Sequence, residues 1–475
     1  MKICLIAEGS YPYVMGGVSS WIQMVMNAMP DHEFIIYAIG AEKKMKGQFK
    51  YTLPPNLIEV HEVFLDTFHD EESGVQRDYK LSKEEKVAVK SLLTNRYTDW
   101  NQLFELFSDK KIDSVSGFVS SKDLFDIIQE VCEEHYDQIP FTEFFWSVRS
   151  MMIPLLSLLK HNVPEADLYH SVATGYGGVV GAYGQYLYEK PFILTEHGIY
   201  TREREEEIIK ADWIKGIFKD LWIAYFYSLS MCSYKASDQV ISLFNRNRHI
   251  QEEIGCDTNK ISIIPNGVHP DEFLHLEGKG NDQLDHLLIG AIVRVVPIKD
   301  IKTMIQSFDI VKRSIPNTTF YIFGPYDEDP EYYRECRELV DSLGVQDIIF
   351  TGQVAVKDYL GKMDLLVLSS ISEGQPLAIL EGMAAGKPFV STDVGSCREL
   401  LYGDGDGIGP AGRVVPVMHY EKMADAIIEI GQDEKLRRAM GGNGRKRVTR
   451  HYTKDQFISD YRQIYESRGV IQWQE

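Results

Sequence analysis

Residues 3 to 20 read ICLIAEGSYPYVMGGVSS. The apolar run Ile3 to Ala7 has the length and content of a short buried strand. A loop follows that ends on Gly16-Gly17, and the spacing then predicts a helix from about Ser19 to Met29. Phe34-Ile35-Ile36-Tyr37-Ala38 reads as a second strand. Strand, glycine loop, helix and strand in this order make a βαβ unit. Such a unit demands a parallel sheet with helices packed on its faces, so the fold class is α/β.

Further along, the stretch from about 66 to 160 is charged and helical in pattern with few strand signals, which predicts a helical insertion. The α/β rhythm resumes at Leu168-Tyr169-His170, Phe192 to Thr195, Gln239 to Ser242 and Ile261 to Ile264. Pro265-Asn266-Gly267 then marks a turn. Residues 1–270 are expected to form one Rossmann-like domain, and the polar stretch 270–284 (PDEFLHLEGKGNDQL) reads as a linker. A second series of short strands alternating with helices fills 285–450, enough for a complete doubly wound domain. The tail 451–475 reads as helical and aromatic, with Phe457, Tyr461 and Tyr465. A chain of 475 residues is also too long for one hydrophobic core.

The formal net charge of −20 argues against nucleic acid or unassisted docking on anionic lipid. Six cysteines are scattered without a C-x-x-C pair, the pattern of buried reduced thiols in a cytoplasmic protein. The apolar run after Met1 is too short for a signal peptide, and no stretch reaches the ~18 apolar residues of a membrane span. Leu221 to Cys232 reads as a buried helix.

Three groups of residues carry chemistry. Gly16 and Gly17 lie before a helix, where backbone N–H groups approach a phosphate and the helix dipole favours an anion; a turn needing positive φ is the alternative. Arg294 and Lys299, in IVRVVPIKD, follow a strand directly. Cations at a strand's carboxyl end face the crevice where open α/β sheets bind ligands, and there they stabilise a departing diphosphate without a metal. A solvated charge pair is the alternative. In SEGQPLAILEGMAAGKP, seven residues separate Glu373 from Glu381. The spacing predicts Glu373 in a loop at a helix N-terminus and Glu381 about two turns inside. Each carboxylate then accepts hydroxyls of a sugar or ribose, unless both are ordinary helix surface.

These blocks, with AEGSYPYVMGGVSSW and LTEHGIYTRERE, resemble the family-4 retaining glycosyltransferases, and most closely those of Pel-type exopolysaccharide systems (PelF-like). The resemblance implies a GT-B fold: two facing Rossmann-like domains and a C-terminal helix crossing back. It implies that Glu373 contacts the donor sugar, Glu381 the ribose, and Arg294 with Lys299 the pyrophosphate. Gly16-Gly17 would close over the diphosphate, His197 would be the active-site histidine, and the backbone of Gly374, Gln375, Pro376 and Leu377 would add donor contacts. Gln375-Pro376 departs from the Phe-Gly common in the family. A UDP-hexose donor (UDP-glucose or UDP-N-acetylglucosamine first), a glycan acceptor, no metal or other cofactor, and recruitment from the cytoplasm to a membrane polysaccharide-synthase complex also follow from the resemblance. A GT-B epimerase would share the crevice without requiring this pair of glutamates. A nucleotide-sugar-sensing subunit would be expected to lack one of Arg294, Lys299, Glu373 or His197. His170, Arg202 and Arg204 are further candidates for acceptor or phosphate contacts. Packing explains His170 equally well, and pairing with Glu196, Glu203, Glu205, Glu206 and Glu207 explains the arginines. Asp327-Glu328-Asp329 reads as a solvated loop rather than a metal site.

Overall fold

The computed structural model describes residues 1–70, 79–94, 98–280, 283 and 285–469. Parts of the expected insertion (71–78 and 95–97), of the expected linker (281, 282 and 284) and of the tail (470–475) lie outside these residues. The chain divides into two compact units.

The first unit is built on seven parallel strands: β1 (Lys2–Glu8), β2 (Glu33–Gly40), β3 (Leu57–Phe64), β4 (Leu168–Ser171), β5 (Phe192–Glu196), β6 (Gln239–Ser242) and β7 (Ile261–Ile263). Their spatial order is β3-β2-β1-β4-β5-β6-β7. Every pairing is parallel, with Ile3 beside Phe34 on one side and Leu168 on the other. The central strands are buried over most of their length, as sheets covered on both faces must be. Strand β3 escapes the sequence reading because it is an edge strand. Its Glu59, His61 and Glu62 leave it without a continuous apolar run.

The insertion contributes helices Lys83–Thr94, Trp100–Ser108, Val115–Val119, Lys122–His135 and Phe141–Lys160. Asp99, Ser114 and Ser121 cap the second to fourth of them by accepting from Gln102, Gly117 and Leu124 backbone N–H groups. Their apolar faces merge with one face of the sheet into a single core, so the insertion is part of the first unit's interior. Leu221 to Cys232 lies inside the helix Gly216–Ala236, as a buried helix should.

The second unit has six parallel strands: β8 (Leu287–Ile292), β9 (Thr318–Phe323), β10 (Ile348–Gly352), β11 (Leu365–Leu368), β12 (Phe389–Thr392) and β13 (Gly412–Val415). Their order, β10-β9-β8-β11-β12-β13, is doubly wound. Both units are thus Rossmann-like, the architecture of GT-B proteins.

The division between the units falls elsewhere than at 270. Ile264 onward belongs to the second unit, so the polar stretch after Pro270 is not a linker. Local contacts explain this. Val268 bridges to Thr453, Asn266 N–H donates to Gln375 Oε1 at 2.6 Å, and Phe273 is buried in the second core. The last helix, Lys454–Gly469, also changes ownership along its length, with Tyr461 onward counted in the first unit. There Tyr461 and Tyr465 are fully buried.

Candidate functional site

In the second unit the strand order reverses between β8 and β11, and the loops leaving those two strands carry the predicted residues. Such a reversal is where open α/β sheets bind ligands, because neighbouring loops diverge there. After β8 the chain makes a 3₁₀ turn, Pro297–Lys299, and Asp300 takes a left-handed conformation to cap the helix Ile301–Ser314. After β11, Ser369 Oγ lies 2.8 Å from the carbonyl oxygens of both Lys299 and Asp300, and Ile371 N–H donates to Ile298 O at 2.9 Å. The two loops are therefore stitched together before any charged group is considered.

That stitching brings Lys299 Nζ against Glu373 Oε1, with side chains only 17% and 12% exposed. Ser370 donates to the same oxygen at 2.5 Å. The next glycine loop is held from beneath. Ser396 N–H donates to Gly374 O at 3.0 Å, and Gly395 has φ +48 with its ideal Cβ only 2.1 Å from that carbonyl. A side chain at Gly395 would both strain the backbone and push the Glu373 loop away. Gln375 is buried and occupied by Asn266, which is the structural use of this departure from the family pattern. Pro376 then precedes the helix Leu377–Ala384.

Glu381 is the fifth residue of that helix, so it sits about one turn in, not two. Two turns is the distance from Glu373, whereas the helix begins only at Leu377, after Pro376. The Glu381 carboxylate takes no hydrogen bond among the described residues, and burial raises its pKa, offset in part by the Lys357 cation and reinforced by Glu272. The two glutamates therefore have different surroundings. Arg294 does not join Lys299. Its guanidinium donates to Glu328 at 2.7 Å, both side chains being exposed. The acidic run 327–329 is thus partly used, since Asp329 also caps the helix Pro330–Leu343. Among the described residues no three His, Cys, Asp or Glu side chains gather to hold a metal ion.

In the first unit the reversal falls between β1 and β4. After β1 the helix starts at Gly17, two residues earlier than the spacing predicts, with no side-chain cap and no acidic residue in its first turn. Gly16 has an extended φ of 177, neither glycine is left-handed, and a Cβ at either would meet nothing within 4 Å. The alternative of a turn that needs glycine is therefore set aside: nothing among the described residues requires these two to be small.

His197 follows β5 and is partly buried. Its ring lies edge-on to Trp21 at 5.1 Å, and Nε2 is buried without a hydrogen-bond partner. Burial lowers its pKa to about 4, so the imidazole is neutral at physiological pH. The residue before it is anchored firmly. Glu196 accepts from Tyr234 (2.6 Å), Gln251 (2.9 Å), Tyr200 N–H (3.1 Å) and Thr174 (3.2 Å). It does not pair with the arginines.

His170 is not an acceptor contact. It is fully buried, with Nδ1 2.7 Å from Tyr465 Oη and Nε2 2.8 Å from Thr195 Oγ1, so both ring nitrogens are used inside the unit. Arg202 is exposed, 3.9 Å from Glu253. Arg204 pairs with Glu207 at 2.7 Å and stacks over Tyr200 at 5.2 Å, as local ion pairing predicts. The sequence reading missed Glu8, which closes β1. Its oxygens accept from Gly177 N–H (2.9 Å) and Tyr200 Oη (3.0 Å), tying the end of β1 to the helices that follow β4 and β5. The available signal was an acidic residue ending an apolar strand.

Comparisons with known proteins agree with this fold. The family model described as "Domain of unknown function (DUF3492)" matches residues 1–259, and "Glycosyl transferases group 1" matches 277–447. An uncharacterized glycosyltransferase of Methanocaldococcus jannaschii, MJ1178, is 27% identical over 304 residues, covering 63% of this chain and 75% of that one. The Escherichia coli UDP-Gal:alpha-D-GlcNAc-diphosphoundecaprenol alpha-1,3-galactosyltransferase is 25% identical over 399 residues, 77% and 95% of the two chains. The structure of Anabaena HepE in complex with UDP shares the fold with a TM-score of 0.61 at 14% identity, covering 98% of this chain and 100% of that one. With more than half its length matched by the first model and its second unit by the other, the chain belongs to the DUF3492 family and is a glycosyltransferase of the GT-B fold.

Proposed function

We propose that this enzyme is a PelF-like member of family 4 that transfers a hexose from a UDP-sugar to a growing exopolysaccharide or related glycan. It does so with retention and without a metal, and UDP-glucose and UDP-N-acetylglucosamine are the favoured donors. The observation that carries the proposal is the Lys299–Glu373 pair held at the strand-order reversal. In a sugar nucleotide the sugar and a phosphate are joined by one bond. A carboxylate for a sugar hydroxyl and an ammonium for a phosphate oxygen must therefore be neighbours. Both protein contacts to Glu373 go to Oε1, so Oε2 is assigned to the sugar hydroxyl. Lys299 stabilises the charge that develops on the diphosphate as the glycosidic bond breaks. Arg294 joins it by exchanging Glu328 for phosphate, at small cost because an exposed ion pair contributes about 0–1 kcal/mol. Glu381 takes the ribose hydroxyls. The E. coli relative named for a UDP-sugar and the UDP complex of HepE support the choice of base.

The acceptor oxygen bonds to the anomeric carbon on the face the diphosphate leaves, and its proton passes to the departing phosphate oxygen. Neutral His197 orients the sugar through a hydroxyl and is not a base. Polymer assembly would place the enzyme in the cytoplasm, recruited by a membrane polysaccharide-synthase complex. Among the described residues no helix is long and apolar enough to cross a membrane. Calorimetric titration of UDP with and without EDTA tests the central reading. The affinity should change less than about twofold, because fixed cations replace the ion; a large loss in EDTA would overturn metal independence.

The glycine loop gives a second expectation. Gly17→Leu should leave stability within about 0.5 kcal/mol, since the new side chain meets open space. It should lower kcat/KM for the UDP-sugar by about 10-fold or more, because a Cβ there keeps backbone N–H groups from a phosphate. Unchanged kinetics would remove Gly17 from the donor site.

A further inference from the structure

A cavity of about 380 Å³ opens on the first unit, away from the loops described above. That volume is within the range of small-ligand pockets, about 300–1,000 Å³. Its walls are aromatic: Trp146 from the helix Phe141–Lys160, Trp213 from the turn between the helices Tyr200–Lys210 and Gly216–Ala236, and Phe218 and Trp222 from the second of these. Trp213 is 72% exposed and Trp146 53%, although large indoles in water are unfavourable. Both are nonetheless held in place. Ile214, next to Trp213, is buried, Trp213 meets Trp222 edge-on at 5.7 Å, and the Arg149 guanidinium lies 5.1 Å over Trp146. Two exposed rings, one beside a buried isoleucine and one under an arginine, form a platform at low conformational cost.

The rim determines what such a platform holds. Thr142, Ser147 and Ser150 supply hydroxyls. Among the described residues the charged ones lining the cavity, Glu143 and Lys215, neutralise each other at 2.9 Å. A cavity with aromatic walls, hydroxyls and no net charge complements a neutral ligand whose faces carry C–H bonds and whose edges carry hydroxyls. An oligosaccharide has such faces and edges. An anionic lipid surface fits poorly, because the chain carries −20 overall and the adjoining helix bears Glu203, Glu205, Glu206 and Glu207. The helix Tyr200–Lys210 begins just after His197 and ends just before Trp213, and its 11 residues span about 16 Å.

We propose that this cavity is a glycan-holding site, which grips a neutral segment of the saccharide chain about one helix length from His197 by stacking on Trp213, Trp146 and Trp222. The assignment of a glycan acceptor rests on the function proposed above, but the site itself is tested by binding alone. Chitohexaose, cellohexaose and maltohexaose are titrated by calorimetry into wild-type protein and into Trp213→Ala and Trp146→Ala. UDP is titrated into each in parallel. The expected result is that at least one hexasaccharide binds the wild type, that each substitution weakens it by about 10-fold or more, and that UDP affinity is unchanged. The exposure of both rings makes misfolding an unsuitable explanation, and the UDP titration checks it. Three results overturn the proposal: no hexasaccharide binds, binding survives both substitutions, or the substitutions abolish only sedimentation with anionic vesicles or self-association. Saccharide binding without UDP binding would instead leave this site standing and remove the donor reading.

Discussion

Lys299→Met is expected to lower turnover of a UDP-sugar by about 10²–10³-fold, the scale on which enzymes lose rate when one fixed group facing developing negative charge is removed. The same substitution also has a structural cost, because Lys299 and Glu373 are 17% and 12% exposed and the carboxylate loses its cation. Stranding a largely buried charge costs up to about 3 kcal/mol, whereas replacing both members of such a pair by neutral groups is close to neutral. Glu373→Gln in the Lys299→Met background should therefore restore most of the stability. It should not restore turnover, since neither the phosphate nor the sugar regains its partner. Denaturant unfolding and single-turnover kinetics on the wild type, both single variants and the double variant complete the cycle. If activity returned together with stability in the double variant, Lys299 would be only a support for Glu373. Its place on the diphosphate would then be lost.

The sequence was most legible where local chemistry and topology agree. IVRVVPIKD and SEGQPLAILEG each follow a short apolar strand, so their charged residues were placed at strand ends without knowledge of the strand order. The strand order then explains why they meet, since β8 and β11 are neighbours although more than 70 residues separate them. What holds them was not legible. Ser369 and Ser370 look like any serines after a strand, and only the fold shows one stitching the two loops and the other donating to Glu373. The residues read least well have long-range partners. Arg294 found Glu328, His170 found Tyr465 from the far end of the chain, and the apparent linker after Pro270 buried Phe273. Polar composition suggests a solvated segment, but one buried aromatic and a two-residue bridge suffice to attach it to a core. Strand β3 was missed for the opposite reason: an edge strand with solvent on one side does not need an apolar run.

Gly16 and Gly17 show what the fold adds to a weak motif. From sequence a glycine pair fits a tight turn as well as a phosphate loop. The observed backbone has no positive φ and open space at both Cβ positions, so the described residues give no reason for glycine. His197 is similar. A histidine after a strand is ordinary, but one that is neutral, with a buried nitrogen lacking a partner beside an anchored glutamate, has an unmet bonding capacity typical of functional sites. His170, on the preceding strand β4, has none, and the contrast separates the structural residue from the candidate one.

Glu381 combines a binding prediction with a stability prediction of opposite sign. If its carboxylate accepts two ribose hydroxyls, Glu381→Ala should weaken UDP by about 100-fold or more, since charge-assisted hydrogen bonds contribute about 1.5 kcal/mol or more each. Glu373→Ala should change UDP affinity by less than about 3-fold while damaging turnover, because its partner is the sugar that UDP lacks. Within the fold, however, the Glu381 carboxylate takes no hydrogen bond among the described residues, and burial holds its pKa above the unfolded value of 4.5. The folded state therefore binds this proton more tightly than the unfolded state. Its stability contribution is complete below pH 4.5 and is lost as pH rises through the folded pKa. At pH 7 this raised pKa is a net cost to folding, so Glu381→Gln should unfold at a higher temperature than the wild type. That gap should close as pH falls below 4.5, where the wild-type side chain is also neutral in both states. Thermal unfolding at pH 7 and pH 4, with UDP calorimetry on the same samples, measures both effects. Equal losses of UDP affinity in the two alanine variants would show that the roles of the glutamates are misassigned. A less stable Glu381→Gln at pH 7 would show that the carboxylate has a partner inside the fold, and the reason for reserving it to a ribose would disappear. A carboxylate that weakens the fold yet is essential for UDP is the pattern expected of a group placed for its ligand.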